Sequence, residues 1–193
     1  YSPALIINKN LEKKIIKKIV KPTLNALKKK NHPYTGFLYV GLMIKKKEPY
    51  LIEYNVRMGD PECQVIMPRL KTDLVKLLKA SIEDKLNKVK IKWSKEKCMT
   101  IVLCSKGYPD KKMENKKINL KKIILNKQSF IFHAGTKIRN NLLFSNGGRV
   151  LNVVVLGNTF LKIRNHIFKI INKINWKFGF FRKDIGWRVI KKK

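Results

Sequence analysis

The sequence predicts an α+β protein whose sheets are mainly antiparallel, and three observations carry that prediction. Two strand-like runs, Phe37–Ile44 and Tyr50–Arg57, are joined by Lys45–Pro49, a turn too short for a parallel crossover. Two longer stretches, Leu11–Lys30 and Thr159–Ile174, instead space their apolar residues at the helical period. From Ser94 onward several short apolar runs alternate with turn residues. This part reads as a small, mostly-β domain with one long helix, so the chain divides into residues 1–93 and 94–193.

In Leu11–Lys30 the residues Leu11, Ile15, Ile16, Ile19, Val20, Leu24 and Leu27 form one stripe, with lysines opposite. Pro22 should kink or divide this helix, because it has no N–H and its ring crowds the preceding turn. Strand Phe37–Ile44 is strongly apolar, and Tyr50–Arg57 alternates, so Ile52, Tyr54 and Val56 should enter a core while Glu53, Asn55 and Arg57 share the other face. Both strands should then lie at the centre of a sheet. Gly59-Asp60-Pro61 ends the second strand, and Glu62–Met67 starts a helix. Thr72 can cap the next, with Leu74, Val75, Leu77, Leu78, Ile82 and Leu86 as its buried stripe. Arg69 and Lys71, between the two helices, read as surface residues.

Met99–Cys104 is an apolar strand followed by the turn Gly107-Tyr108-Pro109 and a lysine-rich run from Lys111 to Lys122 that reads as an exposed loop and strand edge. Ser129–Ala134, Leu142–Phe144 and Val150–Leu156 are further strands. Asn158 can cap the closing helix, whose inner face is Phe160, Ile163, Ile167, Phe168, Ile171 and Ile174. His133 lies on a strand and is expected to be a satisfied core or supporting histidine. Arg182, Asp184 and Arg188 are expected to form an ion-pair network, and Trp176, Phe178, Phe180, Phe181 and Trp187 to pack as core.

Composition narrows the function. With 44% hydrophobic residues in 193, the chain can bury a core. No run approaches the roughly 20 apolar residues of a membrane span. Tyr1–Ile7 is too short for the apolar centre of a signal peptide. Cys63, Cys98 and Cys104 are odd in number and lack C-x-x-C spacing, and His32, His133 and His166 are scattered, so a reduced, cytoplasmic protein without zinc is expected. The net charge of +33 invites a nucleic-acid reading. However, residues 1–93 hold 21 basic and 8 acidic residues and residues 94–193 hold 24 and 4, so the excess is shared by both halves. Lys, Ile and Asn abound together, as they do when codons drift toward A and T, which argues against a nucleic-acid partner.

Against that background, Glu53, Asp60 and Glu62 form an island in a chain with only 12 acids. A carboxylate at Glu53 and an amide oxygen at Asn55, two residues apart on a strand, suit Mg²⁺, which takes one or two protein oxygens and fills its shell with water and substrate phosphate. Arg57 can bind a phosphate or carboxylate through its forked donors. The competing reading is an ion pair between Glu53 and Arg57 on an exposed edge.

The runs Tyr34–Ile44, Glu53–Glu62, Pro68–Leu74, Gly107–Pro109, Phe132–Lys137, Ser145–Val150 and Arg182–Arg188, taken in order, resemble the last part of the phosphoribosylamine–glycine ligase (glycinamide ribonucleotide synthetase) family. The resemblance covers nearly the whole chain. It implies the C-terminal part of an ATP-grasp domain, an antiparallel sheet with helices, followed by the small C-terminal domain. It also implies an ADP-forming ligase of purine synthesis, in which ATP phosphorylates glycine and the amine of 5-phosphoribosylamine attacks the glycyl phosphate. Glu53 and Asn55 would hold Mg²⁺ or Mn²⁺, Arg57 would bind substrate or the transferring phosphate, and Asp60 would orient Arg57 or the glycine ammonium.

By similarity to related ligases, Lys137 with Gly147, Gly148 and Arg149 would hold the substrate 5-phosphate, because cations beside a glycine turn suit a sugar phosphate. The alternative is a hairpin that needs glycine for its geometry. Family members are roughly twice this length, so the missing N-terminal half is expected in the same polypeptide or as a separate one. Two further readings stay open: another ATP-grasp ligase of purine synthesis, such as a carboxylating one, and a non-catalytic basic module that binds nucleic acid.

Overall fold

The computed structural model describes residues 1–111 and 113–190, so Lys112 of the lysine-rich run falls outside. It divides into two compact units, one of residues 4–60 and 70–93, the other of residues 1–3, 61–69 and 94–193.

In the first unit, α1 (Lys9–Ile15) and α2 (Lys21–Lys29) are joined by a π-helical turn, Ile16–Val20. Asn8 caps α1 by accepting from the Leu11 N–H at 2.9 Å. The helix runs on through Pro22 instead of breaking. Pro22 has no N–H to give the Lys18 carbonyl, and the widened turn just before it absorbs the mismatch. Leu11 and Ile19 are buried, but Ile16, expected on the inner stripe, is exposed.

β1 (Tyr39–Lys45) and β2 (Glu48–Asn55) pair antiparallel as a two-stranded sheet, with a bulge at Gly41/Leu42. The two-residue turn, Lys46-Lys47, has both residues at positive φ. The expected placement at a sheet centre is therefore corrected. No third strand joins the pair among the described residues, and Ile52 and Val56 are 62% and 75% exposed. β2 also ends at Asn55, so Arg57 lies in a bend beyond the strand.

The later helix of this unit, α4 (Leu74–Ile82), follows α3 (Cys63–Ile66) of the second unit in chain order. Asp73 caps it, accepting from Lys76 N–H at 2.8 Å, whereas Thr72, the expected cap, accepts from Lys92 N–H at 2.7 Å. Carboxylate caps suit the positive end of a helix. Of the expected stripe Val75, Leu78, Ile82 and Leu86 are exposed and Leu74 and Leu77 half-buried, while the buried residue of the helix is Ala80.

The second unit has a four-stranded antiparallel sheet in the order β5-β8-β3-β9, from β3 (Lys97–Ser105), β5 (Ser129–His133), β8 (Arg149–Gly157) and β9 (Gly179–Phe180). A three-stranded sheet, β4-β7-β6, is built from β4 (Lys117–Ile118), β6 (Thr136–Arg139) and β7 (Leu142–Ser145).

Register sorts the faces of the larger sheet. Met99, Ile101 and Leu103 pair with Val155, Val153 and Leu151 and pack beneath Ile163, Ile167, Ile170 and Ile171 of α5 (Phe160–Ile171). Burying each such side chain contributes about 1.5–3 kcal/mol. On the opposite face, Cys98, Val154 and Leu156 meet Val65 of α3 (Cys63–Ile66). Thr159, one residue after the expected Asn158, caps α5 by accepting from Lys162 N–H. A short α6 (Trp187–Ile190) follows. Among the described residues no helix is long and apolar enough to cross a membrane.

Candidate functional site

The acidic edge is built by the β1–β2 pair. Glu53 lies opposite Gly41, and a Cβ at Gly41 would come within 2.9 Å of Glu53 Cγ. The absent side chain therefore seats the glutamate across the bulge. Asn55, on the same side of β2, donates from Nδ2 to Glu53 Oε1 at 3.2 Å. The pairing expected as the competing reading does not form: Arg57 turns its Nη1 to the Met58 carbonyl, at 3.0 Å. Asp60 is exposed in the turn that follows.

Among the described residues Glu53 has no cationic partner, in a chain with 45 Lys and Arg. Nor is there a cluster of three or more His, Cys, Asp or Glu side chains able to hold a metal. A carboxylate and a carboxamide in contact nevertheless fit Mg²⁺, whose remaining positions go to water and phosphate oxygens. A half-turn of the Asn55 amide exchanges its nitrogen for its oxygen beside Glu53.

The second predicted group lies in the other unit, where two turns meet backbone to backbone. Gly135 N–H donates to the Arg149 carbonyl at 2.9 Å, and Asn146 N–H donates to the Gly135 carbonyl at 2.7 Å. A Cβ at Gly135 would stand 2.8 Å from the Arg149 oxygen, so only glycine permits this approach. Ser105 fixes the second turn through both donors, its hydroxyl to the Gly147 carbonyl at 2.7 Å and its N–H to the Gly148 carbonyl at 2.8 Å. Lys137, half-buried on β6, follows Gly135 by two residues, and exposed Arg149 opens β8.

Gly148 also has a packing role, because a Cβ there would strike the Tyr108 ring at 2.1 Å. Burial raises the Cys104 thiol pKa, opposed by the nearby Arg149 charge. His133, expected as a core or supporting histidine, is exposed and so not in the core; its Nδ1 shares a 3.1 Å hydrogen bond with Thr136 Oγ1.

Sequence reasoning missed Arg69. It is half-buried, and its guanidinium donates to Ser2 Oγ at 2.6 Å and to the Glu96 and Ser94 carbonyls at 2.9 and 3.2 Å. Those bonds tie three separate segments of one unit together, and no local pattern announces it. The expected C-terminal network forms only in part. Arg182 grips Asp184 through two bonds, at 2.6 and 3.1 Å, while Arg188 stacks over the Trp187 ring. Trp176 is buried and Phe178 and Phe181 pack on the core, but Phe180 and Trp187 are exposed.

The elements that carry the two groups correspond to successive parts of an ATP-grasp enzyme. Residues 1–63 match the family model described as the ATP-grasp (A) domain of phosphoribosylglycinamide synthetase, and residues 98–188 match its C domain. The phosphoribosylamine–glycine ligase of Agrobacterium fabrum is 40% identical over 191 residues, which cover 98% of this chain and 45% of that protein. The chloroplastic ligase of Arabidopsis thaliana is 40% identical over 198 residues, covering all of this chain and 37% of its own length. The crystal structure of the Thermotoga maritima ligase superposes with a TM-score of 0.77 at 31% identity, over 92% of this chain and 44% of that one. The chain belongs to the phosphoribosylamine–glycine ligase family, and it spans about 45% of the length of the bacterial relatives it matches.

Proposed function

We propose that this chain supplies the metal edge and part of the substrate-phosphate site of a cytoplasmic ligase. That enzyme joins glycine to 5-phosphoribosylamine, with ATP converted to ADP. The observation that carries the reading is Glu53, a carboxylate that has no cationic partner among the described residues of a strongly basic chain and is placed against Asn55. Family membership supplies the reaction class. In that reaction an anionic carboxylate must meet an anionic triphosphate, so charge neutralisation and positioning are the main tasks.

Glu53 and Asn55 would hold Mg²⁺ or Mn²⁺, which when bound neutralises the phosphate charge. Arg57 has its guanidinium on a backbone carbonyl, a weak tie that it can exchange for the glycine carboxylate or the transferring phosphate. Asp60 would orient Arg57 or hold the glycine ammonium. Lys137, the Gly147 and Gly148 amides and Arg149 would receive the 5-phosphate. The domain division is proposed at residues 93/94, with the segment 61–69 packed into the second unit.

The metal assignment is tested by Mn²⁺ titration followed by electron paramagnetic resonance. Glu53→Ala should lose the bound Mn²⁺ signal while the melting temperature stays within about 2 °C, the shift expected of a surface change. Unchanged Mn²⁺ binding would remove the assignment.

A further inference from the structure

Gly147 and Gly148 are the one pair of successive glycines in the chain, so the peptide between them has no Cβ on either side. Such a peptide can turn over at little cost, exchanging the directions of its carbonyl and its N–H. A Cβ at Gly148 would strike the Tyr108 ring at 2.1 Å, so a larger residue cannot stiffen the pair. What fixes its direction is Ser105, the fully buried last residue of β3, remote from the pair in sequence.

Ser105 uses three of its groups at once. Its hydroxyl donates to the Gly147 carbonyl at 2.7 Å, its N–H donates to the Gly148 carbonyl at 2.8 Å, and its own carbonyl accepts from Tyr108 N–H at 3.0 Å. The Gly147–Gly148 peptide is trans, so its N–H points opposite to its carbonyl and therefore away from Ser105. Among the described residues neither the Gly147 N–H nor the Gly148 N–H has a hydrogen-bond acceptor. Loss of the hydroxyl would leave the Gly147 carbonyl aimed into the interior without its donor, and turning the peptide over would relieve that cost. An approaching anion would then meet a carbonyl oxygen in place of an N–H.

Resting on the phosphate reading of this turn given above, we propose that Ser105 is a positioning residue for the substrate. Its hydroxyl holds the Gly147–Gly148 peptide so that the Gly148 N–H faces the 5-phosphate. Backbone amides of a glycine turn aimed at an anion cradle phosphate, and their bonds to charged oxygen are stronger than neutral ones. Lys137 and Arg149 supply the charge, and Ser105 supplies the direction.

The test titrates residues 1–193 with ribose 5-phosphate as the probe, followed by nuclear magnetic resonance. With glycine labelled at nitrogen and at the carbonyl carbon, Gly148 is the one residue whose labelled amide follows a labelled carbonyl, so its signal stands alone. Its amide proton should move downfield as the probe binds. Ser105→Ala should weaken binding about ten-fold, the worth of one hydrogen bond to a charged group, and abolish that movement. The remaining affinity should keep the salt dependence of the parent, since Lys137 and Arg149 are untouched, whereas a collapsed site would lose both. Ser105→Cys, similar in size but a weaker donor, should fall between, and it decides the question if Ser105→Ala does not fold. A parent that fails to bind ribose 5-phosphate, or binds it with the Gly148 proton unmoved, would overturn the phosphate reading and this role together. Parent binding that shifts Gly148, with affinity and shift unchanged in the Ser105 variants, would overturn this role alone.

Discussion

At the scale of single residues, the sequence announces chemistry more clearly than support. Glu53, Asn55 and Arg57 stand out because acids are scarce, and the structure puts the first two in contact. Gly41 and Arg69, which position their neighbours, carry no local signal, since each acts on residues remote in the chain. Cys98 is a further case, for only the fold shows that it is wholly buried. Burial pushes its thiol up to about 11, above the ordinary value near 9. The folded state therefore keeps a proton that the unfolded chain loses as pH rises past 9, so stability falls between about pH 9 and 11. The slope from this group is about 1.4 kcal/mol per pH unit. Urea denaturation at pH 8.5 and 10.5 should show that loss reduced in Cys98→Ala relative to the parent. Identical losses would mean that the thiol titrates alike in the folded and unfolded states.

At the scale of elements, period alone cannot say whether a stripe is covered. The α4 and α5 segments both read as amphipathic helices, yet Val75 of α4 is 71% exposed and Ile167 of α5 is fully buried. Ile167→Ala should cost about 2–5 kcal/mol in urea denaturation, the range for truncating a core residue, and Val75→Ala about 0.5 kcal/mol or less. Similar costs for the two would contradict the packing described. Turns show the same limit. Asn140-Asn141 adopts positive φ at both positions and looks like a turn in sequence. Lys46-Lys47, inside the expected turn Lys45–Pro49, adopts it too, a turn type its residues do not announce, since lysine disfavours that region by about 1–2 kcal/mol per residue. Replacing Lys46-Lys47 with Asn-Gly should raise stability by about 1 kcal/mol in thermal denaturation. A loss would show that the turn takes another form.

At the scale of the whole molecule, the sequence conveys β1, β2, β3, β5, β7 and β8, the long helix and the order of the parts, because alternation and helical period survive even a heavy drift to lysine. It does not convey which faces lie bare. Tyr50, Leu51 and Ile52 are consecutive and all exposed, so both faces of β2 are apolar and open, the pattern of a strand meant to be covered on two sides. That agrees with a chain that covers only about 45% of its bacterial relatives, and it predicts that residues 1–193 alone release no ADP from ATP with glycine and phosphoribosylamine.

The most direct measurement joins this chain to the part of the Agrobacterium fabrum relative that it does not match and follows glycine-dependent ADP formation with Mg²⁺ and phosphoribosylamine. Turnover by the joined protein, lost on Glu53→Ala with the fold kept, is the result expected. A folded joined protein whose turnover is indifferent to Glu53→Ala would contradict the central claim that this chain brings the metal edge of the ligase.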